Sequence, residues 1–235
     1  MRRSWVVISR RLTAAVAMAM AWCAGFVDAA SYERLERTYT SHMTGNTASL
    51  ASHAVAGAWA DAGRYAWAIA AFLAGLLASA SLQHLERRQG IRSAFAAVLA
   101  IEVLLMAAFI PLSGRANTPL PLLLFLPAAA MGMQTVTVTR VGRLRVYTTY
   151  ITGNLSKFAE AVTGYWFSVG DRRESARQAA VTGGLWLAFL IGAALGVAAD
   201  RAWGAVALLW PITVLAAAIP VDLIRPKMLG DKGNG

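Results

Sequence analysis

Two Thr-Gly-Asn triplets, Thr44-Gly45-Asn46 and Thr152-Gly153-Asn154, are the residues of this chain best suited to specific polar chemistry. Each ends a hydroxyl-rich approach, TYTSHMTGN over 38–46 and VYTTYITGN over 146–154. Threonine bonds nearby backbone or caps a helix, glycine permits close approach, and an asparagine amide both donates and accepts. In this reading Thr44 and Thr152 are N-caps of short helices over 44–60 and 152–168. The positive dipole ends of those helices would face a polar or anionic solute. The plainer alternative is that both triplets are packing and capping devices between helices.

Three further polar residues stand in apolar surroundings. Asp28 lies near the exit of the first apolar segment, as a proton or cation carrier or as a cap of local backbone. Glu102 lies near the middle of a long apolar run, as a proton relay or as a protonated acid bonded to a neighbouring helix. Gln134 can bond the triplet loop of its own half. Lys157 and Glu160 are three apart, which suits an internal ion pair.

The elements that must position these residues follow from composition. Of 235 residues, 57% are hydrophobic and only 14% charged, and the mean hydropathy is +0.52. A soluble domain of this size has too little interior for so much apolar surface. The chain is therefore expected to be an all-α integral membrane protein, a single membrane domain over 1–235. About six transmembrane helices are predicted, over 12–30, 65–85, 93–111, 120–139, 179–199 and 202–221, each near the length a bilayer core requires. The basic N-terminus before the first of these also fits a secretory signal. The apolar run is longer than a signal core and more spans follow, so it is read as an uncleaved helix. A polar tail follows over 223–235.

Charge sets the expected orientation. With six crossings and a cytoplasmic N-terminus, seventeen of the 22 Lys and Arg fall inside and five outside. Counting the two triplet-led segments as crossings weakens that bias, so they are expected to dip in and return. Both termini are then cytoplasmic. The net charge of +10 reports orientation and not nucleic-acid binding, since the cations lie in short clusters between apolar runs. A single cysteine, Cys23, excludes an internal disulfide.

The triplets also belong to an internal repeat. Tyr39, Thr40, Thr44, Gly45 and Asn46 recur 108 positions later. Upstream, Ala24-Gly25-Phe26-Val27-Asp28 faces Met131-Gly132-Met133-Gln134-Thr135. Downstream, Phe72-Leu73-Ala74-Gly75 faces Phe189-Leu190-Ile191-Gly192. The halves run over about 12–111 and 119–222. Three crossings per half make the repeats inverted, an arrangement that puts transporter sites at the midplane. Gly192 to Gly196 is a GxxxG surface, expected to bring corresponding helices of the two halves together or to form a dimer contact.

At Ala24-Gly25-Phe26-Val27-Asp28-Ala29, Ser41-His42-Met43-Thr44-Gly45-Asn46, Gly132-Met133-Gln134 and Thr149-Tyr150-Ile151-Thr152-Gly153-Asn154 the chain resembles the YoaK family of small bacterial multi-spanning membrane proteins. The resemblance implies a bacterial inner-membrane protein and brings no established substrate.

The functional expectation is a transporter or channel for a small polar or anionic solute, or an ion, with the lipid bilayer as its surroundings and a homo-oligomer open. Its path would be lined by Thr44, Gly45, Asn46, Thr152, Gly153, Asn154 and Gln134, with Asp28 and Glu102 coupling protons or ions. The alternative is a non-transporting membrane partner or scaffold. No enzyme motif, cofactor loop or metal-ligand spacing is visible, so neither catalysis, nor a cofactor, nor a metal is expected.

Overall fold

The computed structural model describes residues 2–89, 94–137, 140–141, 144–168 and 170–224. Eight α-helices carry the described chain: α1 (Arg2–Tyr32), α2 (Met43–Val55), α3 (Trp59–Gln89), α4 (Ala94–Ser113), α5 (Leu120–Thr135), α6 (Ile151–Trp166), α7 (Arg172–Trp203) and α8 (Leu209–Ile224). A short 3-10 turn, Gly204–Leu208, joins the last two. Two two-residue strands, β1 (Arg140–Val141) and β2 (Leu144–Arg145), pair antiparallel between α5 and α6. Helix is the dominant choice because chain in lipid must satisfy its own backbone N–H and C=O groups.

Among the described residues, four stretches are long and apolar enough to cross a membrane: Leu12–Tyr32, Trp59–Glu86, Ala94–Ser113 and Arg172–Pro220. The last includes both α7 and α8, separated where Gly204 takes a positive φ of 63° that a side chain would resist. The fourth predicted span is shorter than expected. Its helix, α5, ends at Thr135 after 16 residues, where a run of β-branched residues, 135–139, begins. Residues 138–139 of that predicted span, and residues 225–235 of the predicted tail, lie outside the described residues.

The bundle has an apolar core and also exposes apolar faces that a soluble bundle would cover. Leu73, Leu77, Leu104, Leu187, Leu190, Ile191 and Leu195 are exposed, while Asp28, Asn46, Glu102, Gln134 and Asn154 are buried. Broad exposed apolar faces with polar groups inside are what a lipid solvent selects.

Two helix pairs form the frame, and small residues set their spacing. In the α1–α7 pair, a Cβ at Gly25 would overlap the Phe189 carbonyl, and one at Gly192 would overlap the Trp22 carbonyl. In the α3–α5 pair, a Cβ at Gly132 would overlap the Phe72 carbonyl, and one at Gly75 the Ala129 carbonyl. Contact positions rise together along each pair: Trp22 with Gly192 and Phe26 with Gly196, then Trp67 with Pro121 and Gln83 with Val136. Both pairs are therefore parallel. The expectation that the glycines bring corresponding helices of the halves together is corrected here. Gly192 and Gly196 of α7 meet α1, and Gly75 of α3 meets α5. Only backbone-to-backbone approach makes the absence of a side chain necessary at these positions.

Candidate functional site

The residues before α2 and α6 are held by matching devices. Asn46 Nδ2 donates to the Tyr39 carbonyl at 2.8 Å, and Asn154 Nδ2 donates to the Tyr147 carbonyl at 2.7 Å. Each amide thus clamps the chain seven residues upstream, so the approach folds back onto its own helix. Asn46 also accepts from the Tyr39 N–H at 3.2 Å, whereas Asn154 Oδ1 is buried without a partner. Both asparagines are buried, 0% and 1% exposed, and the donating NH₂ of each is what closes its clamp.

The predicted N-caps are corrected. Thr44 and Thr152 lie inside the first turns, and the N-cap positions belong to His42 and Tyr150. Their backbones nearly coincide, with φ −87°, ψ 67° and φ −91°, ψ 75°. Neither side chain makes a capping hydrogen bond. Each ring lies instead against its own first turn. A Cβ at Gly45 would meet the His42 imidazole, and one at Gly153 the Tyr150 ring. This explains the glycine three residues after each ring.

Asp28 is the anchor of the first approach. Its Oδ1 accepts from the Thr40 N–H at 2.7 Å, the Thr40 hydroxyl at 2.7 Å and the Ser41 N–H at 2.8 Å. Its Oδ2 accepts from the Ser41 hydroxyl at 2.7 Å. The corresponding residue of the second half is neutral: Thr135 exchanges a 2.7 Å hydroxyl–hydroxyl bond with Thr149.

The two approaches and the first turns of α2 and α6 open onto one cavity of about 700 Å³. Its lining falls into seven pairs at equivalent positions of the two sequence halves. These are Asp28 with Thr135, Tyr39 with Tyr147, Ser41 with Thr149, His42 with Tyr150, Met43 with Ile151, Thr44 with Thr152, and Phe72 with Phe189. No described lining residue is left unpaired.

Of the sequence-predicted site residues, Thr44, Thr152 and Asp28 line this cavity. Gly45, Asn46, Gly153 and Asn154 stand behind it and shape its wall. Gln134 is fully buried and donates to the Met20 carbonyl at 2.7 Å and, at 3.4 Å, to the Thr148 hydroxyl. Glu102 is also fully buried, outside the cavity lining, with both carboxyl oxygens unpartnered. Lys157 sits over the Tyr147 ring, 5.7 Å from its centroid. Sequence reasoning missed the aromatic walls. The signal was present in the matched Phe72 and Phe189, three residues before the matched glycines. Among the described residues no group of three His, Cys, Asp or Glu is placed to hold a metal.

A family model described as a protein of unknown function (DUF1275) matches residues 16–221, nearly the whole chain. The chain belongs to the DUF1275 family. It is similar to the UPF0700 transmembrane protein YoaK of Bacillus subtilis (strain 168), at 25% identity over 178 residues, covering 75% of this chain and 79% of that protein. No solved structure matches the chain. Its family relationship and its apolar helices make this DUF1275 protein a membrane protein seated in a lipid bilayer.

Proposed function

We propose that this protein is a transporter or channel that passes a small polar or anionic solute, or an ion, through a site between two inverted repeats. The observation that carries the reading is the cavity whose described lining consists of sequence-equivalent pairs from the two halves. A site on the pseudo-symmetry axis of a repeat protein is where transporters bind their cargo, often beside short helix N-termini. The paired glycine contacts support the same arrangement, because α1 with α7 and α5 with α3 are equivalent pairs under exchange of the halves. The cavity volume falls in the range of small-molecule sites.

In this reading the frame helices stay fixed through their backbone contacts, and the two asparagine clamps hold the first turns at the cavity rim. Asp28 fixes one approach, and Glu102 is a separate proton-binding group remote from the rim. The positive-inside bias favours both termini in the cytoplasm, and the family relationship suits a bacterial inner-membrane location.

The test is solute uptake by the purified protein in lipid vesicles. Thr44→Trp with Thr152→Trp fills the cavity from both rims at exposed positions, where folding tolerates the change. Flux in the native protein and its loss in this double variant support transport. Absence of flux across a broad solute panel, with a folded native protein, overturns it in favour of a non-transporting membrane partner.

A further inference from the structure

We infer that the solute carried through this cavity is uncharged, a polyol-like or amide-bearing molecule with hydrogen-bonding groups and an apolar face. The inference rests on the transport reading and narrows it. Its starting point is the charge balance of the walls. The first turns of α2 and α6, 13 and 16 residues long, both open onto the cavity. Each helix end carries roughly half a positive charge, so the two together contribute about one. Against them stands Asp28, the one carboxylate among the described lining residues. Among the described residues no Lys or Arg lines the cavity, and Lys157 stands over the ring of Tyr147. With the His42 imidazole of the lining neutral, the sum over the described lining is close to zero.

The saturation of Asp28 matters as much as its charge. Four donors of its own chain already occupy its two oxygens. Little capacity remains to replace the hydration shell of a cation. An anion, in turn, meets a fixed carboxylate that offsets the helix ends. Both ions would leave water without full compensation, a penalty that an uncharged solute escapes.

The rest of the lining suits such a solute. Thr44 and Thr152 carry hydroxyls that both donate and accept, while the Ser41 and Thr149 hydroxyls, already bonded to Asp28 and Thr135, keep acceptor capacity. Phe72 and Phe189 supply apolar walls from the two halves. Hydroxyls beside aromatic faces match a molecule with polar edges and C–H faces.

The experiment measures flux through the full-length protein in vesicles, using xylitol and N-acetylglucosamine as neutral probes and nitrate as the anion. The expected result is flux of a neutral probe above that of nitrate. Thr44→Lys, at an exposed rim position, adds one positive charge and should raise nitrate flux by about tenfold or more. A full charge a few ångströms away at an effective dielectric near 20 exceeds the roughly 1.4 kcal/mol that a factor of ten represents. Nitrate flux above that of both neutral probes in the native protein overturns this inference and leaves transport standing. Neutral flux with no nitrate gain in Thr44→Lys also overturns it, because wall charge would then not set selectivity. No flux of any probe overturns the transport reading and this inference with it.

Discussion

Asp28→Ala is the sharpest test of how the cavity is built. The carboxylate accepts four hydrogen bonds from Thr40 and Ser41, and all three residues are buried. Removing it leaves two buried backbone N–H groups with no acceptor, since the hydroxyls can rotate but the amides cannot. Each orphaned donor costs about 1–3 kcal/mol, so the variant should lose about 4 kcal/mol of stability. Asp28→Asn keeps one oxygen for the two amides, and Ser41 can turn to accept from the new NH₂ group. It gives up only charge assistance, and should lose about 1–2 kcal/mol. The assay is unfolding in mixed micelles at rising SDS mole fraction, followed by the fluorescence of the eight tryptophans. A loss under about 1 kcal/mol for Asp28→Ala would refute the reasoning. So would equal losses for the two variants, because then the acceptor oxygen would not be what holds the approach.

Gly25→Ala and Gly132→Ala each drive a Cβ into a backbone carbonyl of the facing helix, so each should cost about 1–3 kcal/mol by overpacking, to a similar extent in both. The same SDS titration reads both, and a neutral result at either site contradicts the close backbone contact. Glu102→Met replaces an unpartnered buried carboxyl with an apolar side chain of similar size. Its stability should be equal to or greater than native, by up to about 2 kcal/mol, and a clear loss would expose a partner for the acid. Cys23 is fully buried and its Sγ lies 3.8 Å from the Pro211 carbonyl, so a maleimide should label it only on unfolding. Rapid labelling of the folded protein would place a water path along α1.

The matched positions were legible in the sequence because matched residues do matched work. Gly25 and Gly132, and Gly75 and Gly192, sit where two backbones meet, and Asn46 and Asn154 clamp equivalent carbonyls. Such demands fix residue type at fixed spacing, and spacing can be read in one dimension. The membrane setting was equally plain, because apolar length and the placement of cations are sequence properties. The partners of those residues were not legible. A glycine announces that something comes close without naming it, and only the packed helices reveal that α7 meets α1 while α3 meets α5. The same holds for the site. Asparagine looked like a lining residue because its chemistry suits a solute, but its amide is used by the backbone and the cavity wall falls to the neighbouring rings and hydroxyls. Which side of an element a polar group faces depends on contacts tens to more than a hundred residues away, and only tertiary structure decides it.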